Sequence, residues 1–131
     1  MPNQWETIAA RALASHINVA RASFVELADN VRIDTPVDKG SLINNWFSAI
    51  GAPSQESERD PNPSGTESHS QLTLIAREVQ AGLEVYFTNP LPYANRIEYE
   101  GYSQKAPSGM LRKNVAKWSQ IVERKERELS R

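Results

Sequence analysis

With 131 residues, 39% of them apolar and 24% charged, the chain has the make-up of one globular domain long enough to bury a core. Fifteen basic residues stand against 16 acidic ones, and the net charge of −1 excludes the strongly basic balance of a dedicated nucleic-acid binder. The lack of cysteine excludes disulfides, thiolate metal sites and cysteine nucleophiles.

The start, Met1-Pro2-Asn3-Gln4-Trp5-Glu6, has no basic region leading into an apolar run. No stretch of about 18 apolar residues offers a membrane span. Both point to a protein made and used in a cytoplasm.

Residues 4 to 32 read as one long helix. Leu13, Ile17, Ala20, Phe24, Leu27 and Val31 follow one another at intervals of 4, 3, 4, 3 and 4, which lays one apolar stripe along a helix face. Trp5, Ile8 and Ala9 extend the stripe toward the start. Core packing accounts for it, and a spacing this regular also suits helix-to-helix packing between subunits.

The helix should end before Asp34-Thr35-Pro36, because proline disfavours helical geometry in the residue preceding it. A tight turn follows over Val37-Asp38-Lys39-Gly40, with Asp38 placed to bond the amides ahead of it and Gly40 free to take a positive φ. Ser41 is a candidate cap for a short helical turn. Residues 45 to 50 then read as a strand with Trp46 and Ile50 on one face.

Residues 51 to 70 contain three prolines, five serines and almost nothing apolar, which predicts a mobile insert or arm. Residues 71 to 80 read as a short helix carrying Leu72, Ile75 and Val79 or as a strand with Leu72, Leu74 and Ala76 on one face, with the helix favoured. Residues 83 to 89 alternate with Leu83, Val85 and Phe87 inward, a strand stopped by Pro90. Residues 93 to 99 read as a brief helix with Ile97 inward. After a loop rich in glycine and proline, a last helix spans about 110 to 129 with Leu111, Val115, Trp118 and Val122 as its stripe. Its region, 111 to 131, carries seven basic and three acidic residues, a net of +4. This order of elements predicts an α+β domain: a long N-terminal and a C-terminal helix packed on a small, mainly antiparallel sheet, with a long flexible loop.

Residues that carry chemistry are few. His16 and His69 have no partner ligands at useful spacing, so no metal site is expected. Glu98 and Glu100 would share a side of an extended segment and are the one candidate acid–base pair. No phosphate-binding glycine loop and no nucleophile elbow is found, and no catalytic residue or cofactor is assigned. Trp5, Trp46 and Trp118 fall at apolar-face positions and read as core anchors by default, with one or two of them alternatively interface anchors, since tryptophan is enriched at binding hot spots.

Two stretches are more specific than a generic fold requires. One is Asp34-Thr35-Pro36-Val37-Asp38-Lys39-Gly40-Ser41-Leu42, followed by Asn45-Trp46. The other runs from Tyr86 through Asn89, Tyr93-Ala94, Ile97-Glu98 and Gly101 to Gln104, Ala106-Pro107 and Gly109-Met110. Together, over roughly residues 5 to 122 without the 51–70 insert, they resemble the neck and minor tail components of long-tailed bacteriophages, including the lambda tail-completion type. That family shows a TPVDTG turn, then L and W, then a YA…IE segment with glycine, then a QAP…GM loop. Here Lys39 stands where threonine is common, Glu100 adds a residue before Gly101, and Lys105 separates Gln104 from Ala106.

The resemblance implies a structural virion protein that forms a ring at the head–tail junction or completes the head-proximal end of the tail, made in the host cytoplasm and acting without turnover. It implies a homo-oligomer, expected in six copies, with neck, connector and tail-tube or tail-terminator proteins as partners, no membrane, and genomic DNA only as channel content. Thr35, Pro36, Asp38, Gly40, Leu42, Trp46, Asn89, Tyr93, Glu98, Gly101, Gln104, Pro107, Gly109 and Met110 are the interface and motif residues it implies. Two other readings compete: a nucleic-acid-binding module using the basic last helix, and a small hydrolase using Glu98 and Glu100.

Overall fold

Asn3 starts the first helix by a reciprocal cap. Its side chain accepts from the Glu6 amide at 2.9 Å, and the Glu6 carboxylate accepts from the Asn3 amide at 3.0 Å. The helix then runs as α1 (Gln4–Asp34), 31 residues and about 46 Å long. The computed structural model describes residues 3–100, 106 and 109–129. In chain order α2 (Ser41–Asn44), β1 (Phe47–Ile50), α3 (Thr66–Glu78), β2 (Val85–Thr88), α4 (Pro92–Glu100), α5 (Arg112–Val115) and α6 (Trp118–Leu129) follow. The expected α+β architecture is present: a long N-terminal helix and a C-terminal helix beside a two-stranded antiparallel sheet.

The strands pair in register Phe47 with Thr88, Ser48 with Phe87, Ala49 with Tyr86 and Ile50 with Val85. A two-stranded sheet is marginal by itself in water, and helices supply what it lacks. Phe87 is the hinge of that packing. Its ring stacks on Trp46 at 4.8 Å and 5° and meets Phe24 edge-on at 6.3 Å and 84°. On the Trp46 side it joins Val31, Leu42, Leu91, Ala94, Ile97, Ala106 and Met110; on the Phe24 side it joins Ala28, Leu72 and Ala76. Full burial of side chains such as Val31, Leu72 and Met110 contributes about 1.5–3 kcal/mol each.

Several sequence expectations are corrected. The apolar stripe of α1 is buried only in its C-terminal half, at Val19, Phe24, Ala28 and Val31; Trp5, Ile8, Leu13 and Ala20 are exposed. The helix outruns the body, because α3 and α6 pack beside its later turns alone. Asp34 meets Asn114 and Lys113, whereas Glu26 meets Arg124 and Lys125, so α6 runs back along α1 and stops short of its first turns.

The last helix is two helices. Asn114 is buried and bonds Asp34 Oδ2 at 2.8 Å and the Met110 carbonyl at 2.7 Å, which fixes α5 before the chain re-aims at Ala116-Lys117. The break shifts the helical phase. Ile121 packs inward, while Val115 and Trp118 of the expected stripe are 48% and 38% exposed.

The first strand starts at Phe47, since residues 41 to 44 are helical. Leu83 lies ahead of β2 and is exposed instead of inward. The expected insert at 51–70 is shorter: helix α3 begins at Thr66 and includes His69, and residues 51 to 65 lie against the body. Trp46 alone of the three tryptophans is a core anchor.

Candidate functional site: two turns closed on one another

The first turn begins where α1 ends. Thr35 caps the helix, its hydroxyl donating to the Val31 carbonyl at 2.7 Å. The same oxygen accepts from the Trp46 indole at 2.9 Å, so a buried threonine and a buried tryptophan, 11 positions apart, close the loop between them. Pro36 is half-buried within it, and Leu42 enters the core beside Trp46. Gly40 has φ +93°, and a β-carbon there would lie 2.2 Å from the Pro63 nitrogen. Its carbonyl accepts from Asn62 at 3.1 Å and Asn44 at 3.3 Å. Gly40 therefore caps α2 and is also the point on which residues 51–65 rest. Ser41 is the first helical residue and not the cap. Asp38 is exposed, and no bond from it to the following amides is found among the described residues.

Residues 51 to 65 form a strap held by one arginine and two asparagines. Arg59 donates to the Asn44 carbonyl at 2.8 Å, the Trp46 carbonyl at 3.2 Å and Gln71 Oε1 at 2.9 Å, with its guanidinium 4.0 Å from the centre of the Phe47 ring. Its own amide donates to Asn45 Oδ1 at 2.7 Å, and Asn44 Nδ2 donates to the Asp60 carbonyl at 2.9 Å. These bonds satisfy polar groups that composition alone assigns to solvent.

The second turn is built on Glu98. The brief helix expected over residues 93 to 99 is α4, and it carries both Glu98 and Glu100, so the extended geometry that would set them side by side as an acid pair is not present. Glu100 is exposed beside Arg96, and Glu98 is buried. Glu98 Oε1 accepts from the amides of Met110 at 2.8 Å and Leu111 at 2.6 Å. Its Oε2 accepts from the Arg112 amide and the Arg112 Nε, both at 3.0 Å. Four donors use the full acceptor capacity of one carboxylate. They also cap the N-terminus of α5, where Leu111 supplies no side-chain bond. Burial alone would raise the carboxyl; the amides of Leu111, Arg112 and Met110, with the Arg112 side chain, outweigh it and hold Glu98 below the usual carboxylate range. Arg112 completes the knot, donating to the Glu98 carbonyl at 2.6 Å and lying 4.4 Å over the Tyr99 ring.

The two turns are one unit. Asn89 Nδ2 donates to the Leu42 carbonyl at 2.9 Å, and its Oδ1 accepts from the Leu91 amide at 3.2 Å. Ala106 and Met110 pack with Leu42 and Trp46. Tyr93 is exposed near Ser41; partial burial pushes its phenol up, Ser41 opposes that, and Glu58 adds to it. Gly101, Gln104 and Pro107 lie outside the described residues.

Eleven of the fourteen motif residues are thus placed, and most are internal. Thr35, Gly40, Leu42, Trp46, Glu98, Gly109 and Met110 are buried, so their side chains hold the turns and do not present a surface. Asp38 and Tyr93 are the exposed ones. Asn89, Pro92, Asn95, Glu98 and Tyr99 line an open cleft of about 520 Å³. Sequence reasoning missed Arg59 and Arg112. The signal for the first was the Asn44-Asn45 pair ahead of Trp46, which needs partners once buried. No group of three or more histidine, cysteine, aspartate or glutamate side chains able to hold a metal is found among the described residues, and no described helix is long and apolar enough to cross a membrane.

Comparison with protein-family models, with curated proteins and with solved structures gives no match.

Proposed function

We propose that this chain is a structural component of a tailed-phage virion, forming a ring at the head–tail junction or completing the head-proximal end of the tail. The observation that supports this reading best is the convergence of the two phage-like stretches. They lie far apart in the sequence, yet Asn89 bonds to Leu42, and Met110 packs against Trp46.

The physical logic is preorganisation. Loops fixed by Thr35–Trp46, Gly40 and Glu98 lose little entropy when they dock, so an interface built on their outer residues retains more of its contact energy. Head-to-tail contacts of this kind, repeated around an axis, close a ring.

The two competing readings draw less support. Glu98 is held ionised with its acceptor sites filled, whereas a general acid needs a proton to give. On α6, Arg124 and Lys125 are paired with Glu26, which lowers the positive charge that helix can offer to phosphates.

Deleting the coding sequence from the phage tests the proposal. The expected yield is filled heads and tails that stay apart, or tails of uncontrolled end, seen by electron microscopy. Normal, infectious tailed particles would contradict it.

A further inference from the structure

The two edges of the sheet differ. The Gly51 amide donates to the Glu84 carbonyl at 2.9 Å, so these two residues are a hydrogen-bonded pair. Such pairs alternate along an antiparallel ladder. In the register Ala49 with Tyr86 and Phe47 with Thr88, the backbone groups of Tyr86 and Thr88 therefore point to β1, and those of Val85 and Phe87 point away from it. By the same alternation Trp46 and Ser48 point outward on the β1 side, and side chains meet them there. The Ser48 amide donates to Gln71 Oε1 at 2.9 Å, and the Trp46 carbonyl accepts from Ser68 Oγ at 2.7 Å and Arg59 at 3.2 Å. Among the described residues, no hydrogen bond to the outward groups of Val85 or Phe87 is found.

Open edges are commonly blunted by a charge, a proline or a bulge. β2 is Val85-Tyr86-Phe87-Thr88, four residues with neither charge nor proline, three of them β-branched or aromatic formers in a row. Donors and acceptors at strand spacing fit another extended backbone. A helix does not satisfy them, because its own groups are bonded internally.

We infer that β2 of one copy pairs antiparallel with β2 of a second copy, joining two small sheets into one of four strands. The match of the edge to itself selects this occupant. Turned about a two-fold axis at Tyr86, Val85 of each copy faces Phe87 of the other. Each facing pair exchanges an N–H and a C=O both ways, so two pairs make four bonds and no outward group of Val85 or Phe87 is left over. A shift in either direction carries one of these residues past the end of the opposing strand. The same register sets the two Tyr86 side chains directly opposite, a favourable aromatic cross-strand pair. A two-fold contact uses one surface on both copies, whereas a ring needs two different surfaces. The pairing therefore does not rest on the ring reading, and the deletion phenotype judges that reading separately.

The chain has no cysteine, which makes cross-linking direct. Opposed residues at this kind of position have Cα atoms about 4.5 Å apart, within the span of a disulfide. Full-length Tyr86→Cys under mild oxidation should give a disulfide-linked dimer, and Ile33→Cys, 78% exposed and far along the chain on α1, should not. In sedimentation the wild type should show a monomer–dimer equilibrium. Val85→Pro removes an outward N–H and spares the β1–β2 ladder, since proline is tolerated at the first residue of a strand. It should weaken association at least about tenfold with circular dichroism unchanged. Should Val85→Pro fail to fold, Tyr86→Glu decides, since it opposes two carboxylates across the axis and should weaken association by a similar factor. Association that the folded variants leave unchanged, or a dimer in which Tyr86→Cys links no better than Ile33→Cys, overturns the inference in favour of another surface. A wild type that is monomeric at every concentration also overturns it and leaves the edge to an extended segment of a different protein.

Discussion

Gly109 lies so close to Glu98 that a β-carbon on it would sit 2.7 Å from both the Glu98 carbonyl oxygen and Glu98 Oε2. The backbone at 109 also has φ +84°, where any other residue is strained. Glycine is therefore needed for two separate reasons, and the approach it allows lets one carboxylate reach three consecutive amides.

Gly109→Ala should destabilise the fold by more than Gly82→Ala. Gly82 has the same φ of +84° but open space around it, so its variant carries the backbone strain alone, about 1–2 kcal/mol. The excess at 109 measures the contact with Glu98. Equal midpoints in urea for the two variants would show that the contact is relieved at no cost.

Glu98→Gln should cost about 2–3 kcal/mol, because four charge-assisted bonds weaken and an amide nitrogen is forced against donors. The wild type should also show this group in its pH dependence. The folded pKa of Glu98 is lowered, so its contribution is complete above the unfolded pKa of about 4.3 and is lost as pH falls through the folded value. Urea midpoints measured from pH 6 downward should converge for wild type and Glu98→Gln. Parallel curves would contradict this.

Thr35 and Trp46 should be coupled. Thr35→Val leaves the buried indole N–H without its acceptor and should cost about 1–3 kcal/mol. Trp46→Phe removes the donor and part of the packing. In the double variant the loss should be smaller than the sum of the two, by about 1 kcal/mol. Strict additivity would mean that the bond contributes nothing net.

Arg59→Ala should free the strap without unfolding the body. Its guanidinium holds two carbonyls and Gln71 from a segment that has no helix or strand of its own over residues 52–62. Limited proteolysis should cut the variant within residues 53–60 many times faster than the wild type, while the thermal midpoint moves by a few degrees. Unchanged cleavage would place the restraint in Asn44 and Asn45.

How far the sequence foretold this molecule depends on the range of the forces involved. Alternation over Val85 and Phe87, the apolar spacing of Leu72 and Ile75 and the proline after Thr35 act locally, and a strand, a helix and a helix end are found there, although α3 starts five residues earlier than its spacing indicates. Composition alone does not reveal the bonds of the strap, because Arg59 meets its partners 12 to 15 residues away, beyond what a composition window sees. Periodicity identified the α1 stripe but not where its cover stops, since Phe24 and Leu13 look alike until α3 and α6 are placed. The helix break at Ala116 arises from Asn114 reaching Asp34, 80 residues earlier. Within the site, Gly40 and Glu98 were singled out from their motifs. Their work, seating the strap and capping α5, emerges only in three dimensions.

The central claim is most directly tested by the density of the intact head–tail junction, determined by cryo-electron microscopy of the virion. The account predicts this chain in a closed ring, with the Asp38-Lys39 turn and Tyr93 facing neighbours and the Glu98–Gly109 knot internal to each copy. A junction fully traced with other chains, in particles that contain no copy of this one, would contradict it.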